Sequence, residues 1–465
     1  MRKTIALLAT ASLAGCTNLA PPHQQPALPT APEYPAGFAN DVVPGKRATE
    51  IAWRDFLADQ RLERLITQAL ERNRDLVISV ARIEEARGLY RIQDADRMPT
   101  IGASGAVTNS RAFSPLSSPP GPDVSTSYSI GVGITSFELD FWGRVKNMSE
   151  AARRQYLSTV QAERAFRLTL IRDVAGAYLS SRETEERIAL AAATVKSRED
   201  GLRIAKRRLD AGVTSALDYK QSETLLTQAQ AELAGLRLAQ AQYDNYLALL
   251  VGGPVAEPLP APLPLAAQTQ SPALTAGLPS DLLVARPDIL GAEEQLRAAR
   301  ANIGAARAAF FPSISLTGNA GFGSTSLGGL FSGDALGWSF GPQISLPIFD
   351  MGRRKANLTV AEARENIAVA TYEKTVQNAF REVSDALAAR RYLAEQVAVQ
   401  ERGTAATRRI ADLARKRYRE GVSNYLEVLD AERNLFASEQ ALIQLRRAQA
   451  DNLVTLYVAL GGGQF

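Results

Sequence analysis

The chain has 465 residues, of which 46% are apolar and 22% are charged, a composition typical of a folded protein. Its net charge of +4 is small, and Lys and Arg are interleaved with Asp and Glu, which argues against a nucleic-acid-binding protein. One Cys and one His exclude an intramolecular disulfide and any metal site that needs several Cys or His ligands.

The N-terminus has the pattern of a bacterial lipoprotein signal. Arg2-Lys3 precedes a short apolar run that ends in Leu13-Ala14-Gly15-Cys16, which resembles a lipobox. The apolar run is too short to cross a bilayer as a helix, so it predicts a signal peptide. We expect Cys16 to carry a covalent lipid, and no other cofactor is predicted. Thr17, in place of Asp, favours the outer membrane; an ordinary signal peptide with an unrelated Cys is the alternative.

The rest of the chain contains an internal repeat. The segment 208–214 (RLDAGVT) matches the segment 417–423 (RYREGVS) at an offset of 209 positions. The same offset relates Leu217 to Leu426, and further upstream it becomes 213, which aligns Pro99 with Pro312. A constant offset over roughly a hundred residues indicates a duplication.

Each half is predicted to contain a helix, a β-hairpin and a pair of long helices. The helix that opens each half ends before a Pro, because the residue preceding Pro is disfavoured in helical conformation. The predicted domains are a signal peptide at 1–15, a lipidated and extended segment at 16–60, a first repeat at 61–253, a Pro-rich connector at 254–280 and a second repeat at 281–465. In the first repeat the opening helix is predicted at about 61–97, the hairpin at 100–141 and the helix pair at 144–250. In the second repeat they are predicted at about 281–309, 313–349 and 353–460.

The hairpins show the two-residue period of β-strands. Leu336, Trp338 and Phe340 alternate with Gly337 and Ser339. Strands of about ten residues with one apolar face are typical of transmembrane β-strands, and a half-buried soluble sheet is the alternative.

The long helices are predicted from uninterrupted sequence. No Pro occurs from Arg144 to Asp210, which corresponds to a helix of about 100 Å, and the copy from Arg353 to Glu420 is equally long. A helix of this length must pack on other long helices, and a coiled-coil heptad is visible at Val369, Tyr372, Val376, Ala379, Val383, Ala386, Arg390, Leu393 and Val397.

Strand counting then predicts an oligomer. Two hairpins supply four strands, which cannot close a barrel, and an open strand edge in lipid is not tolerated. The smallest bacterial barrels have about eight strands, so both a dimer and a trimer satisfy the count. The circumference that a tube of long helices needs favours the trimer.

Four motifs resemble those of the TolC-like outer-membrane factors. With the lipobox, the chain is similar to the OprM/NodT lipoprotein branch over nearly its whole length after Cys16. The motifs are SFELDFWGR at 136–144, RPDILGAE at 286–293, NIGAAR at 302–307 and FPSISL at 311–316. The resemblance implies a mixed α/β membrane protein: a trimeric twelve-stranded outer-membrane β-barrel, with four strands per chain, that continues into a periplasmic α-helical coiled-coil barrel.

The resemblance also implies the function. The expected protein is the outer-membrane exit duct of a tripartite efflux pump and conducts small molecules passively. Its expected partners are two more copies of the chain, a periplasmic adapter protein, an inner-membrane pump and outer-membrane lipid. A type I protein-secretion channel of the same fold and a metal-ion efflux duct are the alternatives. No nucleophile–base pair, phosphate loop or metal cluster is recognisable in the sequence, so an enzyme is not expected.

The turn between the long helices of each half is the predicted adapter-docking site, by resemblance. Glycine and cations also suit any helix C-terminus, which explains part of the pattern without a partner. The expected docking residues are Arg208, Gly212, Val213, Leu217, Arg417, Gly421, Val422 and Leu426.

A periplasmic gate is expected near the same turns. Asp412 matches the acidic position that constricts such channels in the family, and its repeat partner is Arg203. An Arg203–Asp412 bridge is one expected pairing, with Arg415 as a competing partner for Asp412. A solvated helix face is the alternative explanation for these charges.

Overall fold

The computed structural model describes residues 18–35, 46–111, 124–255, 258–268, 274–275 and 279–462. The predicted signal peptide and Cys16 therefore lie outside the described residues. The chain forms two compact units. One contains Met1–Ala27, Arg82–Val160 and Gly291–Tyr372, and the other contains Leu28–Ala81, Gln161–Leu290 and Glu373–Phe465. Each unit thus takes segments from both repeats.

The helices of the two halves have matching lengths. In chain order they are α1 (Trp53–Phe56), α2 (Gln60–Arg72), α3 (Arg74–Ala95), α4 (Arg144–Asp210), α5 (Ala216–Leu250), α6 (Leu282–Ala285), α7 (Pro287–Ala308), α8 (Arg353–Arg419) and α9 (Tyr425–Ala459). Helices α4 and α8 have 67 residues each, α5 and α9 have 35 each, and α3 and α7 have 22 each. Within the described ranges, none of these helices is long and apolar enough to span a membrane.

The two hairpins lie side by side in one sheet. The strands are β1 (Lys46–Arg47), β2 (Ile101–Ser110), β3 (Ser125–Glu138), β4 (Leu274–Thr275), β5 (Ser313–Ser324) and β6 (Leu336–Ser345). Strands β2, β3, β5 and β6 form an antiparallel sheet in that order, and β1 pairs with β4 in parallel. Gly131 lies opposite Gly321 between β3 and β5. A Cβ on Gly321 would lie 2.5 Å from the Gly131 Cα, so this close approach requires glycine.

The apolar residues of β6 are exposed in the single chain. Leu336, Trp338, Phe340 and Ile344 are between 59% and 79% exposed, and they alternate with small or polar residues. In the described sheet, β2 and β6 each have one neighbouring strand. Each of these two strands therefore has one unpaired edge.

The helix predicted at about 61–97 is broken at Asn73. The Asn73 Oδ1 accepts a hydrogen bond of 3.0 Å from the Leu76 backbone N–H, which starts α3. The Asn73 amide also donates to the Leu250 carbonyl over 2.9 Å, at the end of α5. The break is stabilised by hydrogen bonds of the buried Asn73 side chain to two helix ends. Hydrophobic periodicity does not report such hydrogen bonds, so the sequence pattern did not reveal the break.

The second half breaks at the equivalent position, Arg286, between α6 and α7. Arg286 precedes Pro287 and has extended backbone angles, φ −92° and ψ 120°, as a residue before Pro prefers. Its guanidinium donates to the Ala459 carbonyl over 3.1 Å, at the end of α9. The two halves therefore use the same joint with different side chains.

A glycine closes each joint. Gly252 has φ +79°, and a Cβ there would overlap the Arg72 carbonyl oxygen. Gly461 has φ +96°, and its Cβ would lie 2.8 Å from the Ala285 carbonyl oxygen. Both positions require glycine for the backbone angle and for the close approach.

Six of the nine positions of the heptad predicted along α8 are buried, and Val369, Arg390 and Leu393 are half-buried. Its members Tyr372, Val376, Ala379, Val383, Ala386 and Val397 are at most 8% exposed. Small residues at this seam allow close helix packing.

Candidate functional site: the two helix-connecting turns

Helix α4 ends in a left-handed glycine turn. Gly212 has φ +71°. Its N–H donates to the Leu209 carbonyl over 2.9 Å, and the Val213 N–H donates to the Arg208 carbonyl over 2.8 Å. This pair of hydrogen bonds is a Schellman motif, which satisfies the last carbonyls of the helix.

Helix α8 ends in the same way. Gly421 has φ +73°, its N–H donates to the Tyr418 carbonyl over 3.1 Å, and the Val422 N–H donates to the Arg417 carbonyl over 2.9 Å. The two turns at 212 and 421 are called tip 1 and tip 2 below.

Each tip continues into a capped helix. At tip 1, Ser215 and Asp218 form a capping box at the start of α5. The Thr214 hydroxyl donates to Asp218 over 2.6 Å and holds the pKa of that carboxyl below its usual value. At tip 2, Asn424 caps α9 by accepting from the Glu427 N–H over 3.2 Å. Both tips are therefore defined by local hydrogen bonds.

Apolar side chains project from both tips. Val213, Leu217 and Val422 are 65–69% exposed, and Leu426 is 42% exposed. Leu217 and Leu426 line one groove of about 340 Å³ between α5 and α9. The structure thus brings together two residues that the sequence places 209 positions apart. The groove is completed by Lys220, Gln221, Thr224, Leu225, Gln228, Leu429, Asp430 and Arg433.

Cations at the tips have acidic neighbours. Lys206 contacts Asp210 at 2.9 Å on α4, and Arg417 of tip 2 contacts Glu427 at 3.4 Å. These pairs are exposed, so water screens their attraction and each contributes little to the stability of the turns. The basic clusters are therefore partly structural, as helix capping alone would predict.

The gate residues have partners on their own helices. Asp412 contacts Arg415 at 3.0 Å, and Arg415 also contacts Glu432 at 3.0 Å. Arg203 pairs with Asp200 one turn earlier on α4. Of the two partners expected for Asp412, the structure gives it Arg415 within one chain, because i,i+3 spacing holds the two side chains together. A role of Asp412, Arg203 and Arg415 in gating stays a prediction.

An aromatic cluster joins the two helix pairs behind the tips. Arg208 donates to the Tyr418 hydroxyl and lies over the Tyr418 ring at 5.0 Å. Tyr418 and Tyr425 have ring centroids 4.9 Å apart. A Cβ on Gly201 would overlap the Tyr425 hydroxyl oxygen, so Gly201 makes room for that ring. Burial raises the pKa of Tyr425 to about 12, and its phenol stays neutral.

The sequence prediction did not include these tyrosines. Their repeat partners are Leu209 for Tyr418 and Ala216 for Tyr425. The sequence signal that could have revealed them is the presence of an aromatic residue in only one copy of the repeat, next to a motif that both copies share.

Comparison with known proteins decides the family. The chain matches the family described as Outer membrane efflux protein over residues 65–253 and 278–462. It is 43% identical over 464 residues to the solvent efflux pump outer membrane protein SrpC of Pseudomonas putida, covering 99% of this chain and 98% of the relative. It is 39% identical over 457 residues to the cation efflux system protein CusC of Escherichia coli O6:H1, covering 97% and 96%.

The chain belongs to the outer membrane efflux protein family. A solved structure, the open state of the MtrE outer membrane channel of Neisseria gonorrhoeae, agrees with this: the TM-score is 0.87 at 39% identity, over 96% of this chain and 98% of that one. The predicted resemblance to the TolC-like factors is confirmed. The chain is the outer-membrane exit duct of a tripartite efflux pump. Members of its family are transport conduits rather than enzymes.

Proposed function

We propose that three copies of the efflux protein form one continuous duct. Their twelve strands close a barrel in the outer membrane, and their long helices form a coiled-coil tube in the periplasm. The lipid on Cys16 anchors each chain to the outer membrane. A periplasmic adapter and an inner-membrane pump deliver small molecules to the duct.

The unpaired edges of the four-stranded sheet carry this proposal. Strands β2 and β6 have one neighbour each in the described sheet, and the apolar side chains of β6 are exposed. An unpaired edge in lipid leaves backbone N–H and C=O groups unsatisfied at a cost of several kcal/mol each. Because all pairs in the sheet are antiparallel, β6 of one copy can pair with β2 of the next and close a ring.

The tips are the proposed adapter site. The groove lined by Leu217 and Leu426 also has Leu225 and Leu429 in its walls, together with polar and charged side chains that include Asp430 and Arg433. An exposed apolar groove with a polar rim is the surface that a helical partner recognises. Exposed Val213 and Val422 lie at the turns that precede the two groove-lining leucines.

Susceptibility to toxic compounds tests adapter docking. In a strain that keeps the adapter and pump but lacks this chain, we expect Leu217→Asp with Leu426→Asp to abolish resistance although the trimer still forms. Leu238→Asp, at another exposed leucine of α5 that does not line the groove, should retain resistance. Full resistance in the double variant would exclude this docking site.

Metal ions are a second candidate cargo, because CusC is named as a cation efflux protein. Solvent or antibiotic sensitivity of the deletion strain, without metal sensitivity, would favour organic small molecules. The opposite pattern would favour metal-ion efflux. Loss of a secreted protein, with both sensitivities unchanged, would point to the type I secretion channel.

A further inference from the structure

An apolar knob follows β6. Ile348, Phe349 and Met351 are 91%, 81% and 85% exposed. Exposure this high for three large apolar side chains within four residues marks a surface that another molecule covers.

The backbone of the knob is strained and held in place. Met351 has φ +54°, and among the described residues it alone has a positive φ without being glycine. The Asp350 carboxylate accepts from the Gly352 N–H and the Arg354 N–H, each over 3.1 Å, and contacts the Arg354 guanidinium at 2.7 Å. Glycine would fit this conformation without strain, so a methionine here indicates a role for its side chain.

A pocket lies at the same end of the sheet, beside the opposite edge. It has a volume of about 330 Å³ and is lined by Arg97, Phe137, Leu139, Phe141, Val145 and Lys146, among others. Asp140 also lines it, and the Asp140 Oδ1 is buried without a hydrogen-bond partner among the described residues. The apolar part of the lining, formed by Phe137, Leu139, Phe141 and Val145, is the part that an apolar side chain can fill.

Strand direction places knob and pocket at adjacent positions in a ring. The pocket lies where β2 begins and β3 ends, and the knob lies where β6 ends. In an antiparallel sheet β2-β3-β5-β6 these are the same end of the strands. When β6 of one copy pairs with β2 of the next, the knob arrives beside the pocket of the next copy.

We propose that the knob of one chain inserts into the pocket of the next chain and locks the ring of three copies. The interface is heterologous, since each copy gives a knob on one side and a pocket on the other, and three such contacts close it. This inference rests on the proposed trimeric duct, and it adds the residues that hold neighbouring copies in register.

Cross-linking between chains tests the contact. The variant Phe141→Cys with Phe349→Cys is purified in detergent and treated with a short bis-maleimide. We expect covalent dimers and trimers on a denaturing gel. Each single variant keeps the native Cys16 and should stay monomeric on that gel. Leu327→Cys with Phe349→Cys, which joins the knob to an exposed residue at the far end of the strands, should also stay monomeric.

Native mass spectrometry of the same samples separates the two proposals. A trimer that gives no covalent oligomer, or only an internally cross-linked chain, overturns the knob contact and leaves the duct standing. A wild-type protein that is not trimeric overturns both.

Met351→Gly provides a second test. It relieves the backbone strain and removes the side chain, so the trimer should dissociate more readily than the wild-type trimer while the single chain is no less stable. Loss of one buried apolar side chain weakens each interface by about tenfold. Leu327→Gly is the matched control and should not change trimer dissociation. Unchanged dissociation for Met351→Gly would overturn the knob contact.

Discussion

Glycine at the two tips is required by backbone conformation and not by lack of space. Gly212 and Gly421 have φ near +70°, and an added Cβ would have no atom within 4 Å at either position. Alanine at either tip should therefore cost about 1 kcal/mol from left-handed backbone alone.

The matched control is Gly403→Ala, inside α8, where the space is also open. This change should stabilise the protein by up to about 1 kcal/mol, because glycine is a poor helix former. Thermal unfolding, monitored by circular dichroism, compares the tip variants with Gly403→Ala. Equal shifts in midpoint for Gly212→Ala and Gly403→Ala would contradict the account of the tips.

At Gly201, by contrast, glycine is required by lack of space and not by backbone conformation. The methyl group of Gly201→Ala would overlap the Tyr425 hydroxyl oxygen, while the next ring atom would be 3.7 Å away. We expect Gly201→Ala to destabilise the protein by about 1–3 kcal/mol. In a Tyr425→Phe background the same change should cost much less. An equal cost in both backgrounds, measured as free energies of unfolding, would show that the two side chains do not interact.

At the level of elements, the joints at Asn73 and Arg286 hold each helix pair to its opening helix. Asn73→Ala leaves the Leu250 carbonyl and the Leu76 N–H without their partner, and we expect a loss of about 1–3 kcal/mol. The control is Gln93→Ala, which removes a side-chain amide from α3, the helix that follows Asn73, where its hydrogen bond is exposed; it should cost under about 0.5 kcal/mol. Urea unfolding of purified protein compares the two variants, and similar losses would contradict the role of the joint.

Periodic elements could be predicted from the sequence. Helices α4 and α8 follow from long Pro-free sequence, and strands β3, β5 and β6 follow from two-residue alternation. The heptad of α8 was predicted because burial repeats along one element.

Contacts between distant segments could not be predicted in this way. The pairing of β3 with β5, the hydrogen bond from Asn73 to Leu250 and the ring contact between Tyr418 and Tyr425 depend on tertiary packing, which leaves no period in the sequence. For the same reason two partners were open to Asp412 at the level of sequence, and the geometry of one helix turn selects Arg415.

For the whole molecule, the central claim is that three chains enclose one conducting path. The repeat gives each chain two hairpins and two helix pairs. The unpaired edges of β2 and β6 favour assembly, because pairing with a neighbouring copy satisfies their backbone hydrogen bonds. Family membership establishes the outer-membrane exit duct, and the trimeric ring is the arrangement that satisfies its strand edges.

Single-channel recording in planar lipid bilayers tests this claim most directly. Purified protein whose trimeric mass has been verified should produce discrete current steps of one unitary size. If Asp412 and Arg415 hold the periplasmic end closed, Asp412→Ala should increase that unitary conductance. Insertion of verified trimers without any current step, in both the wild type and Asp412→Ala, would contradict the account.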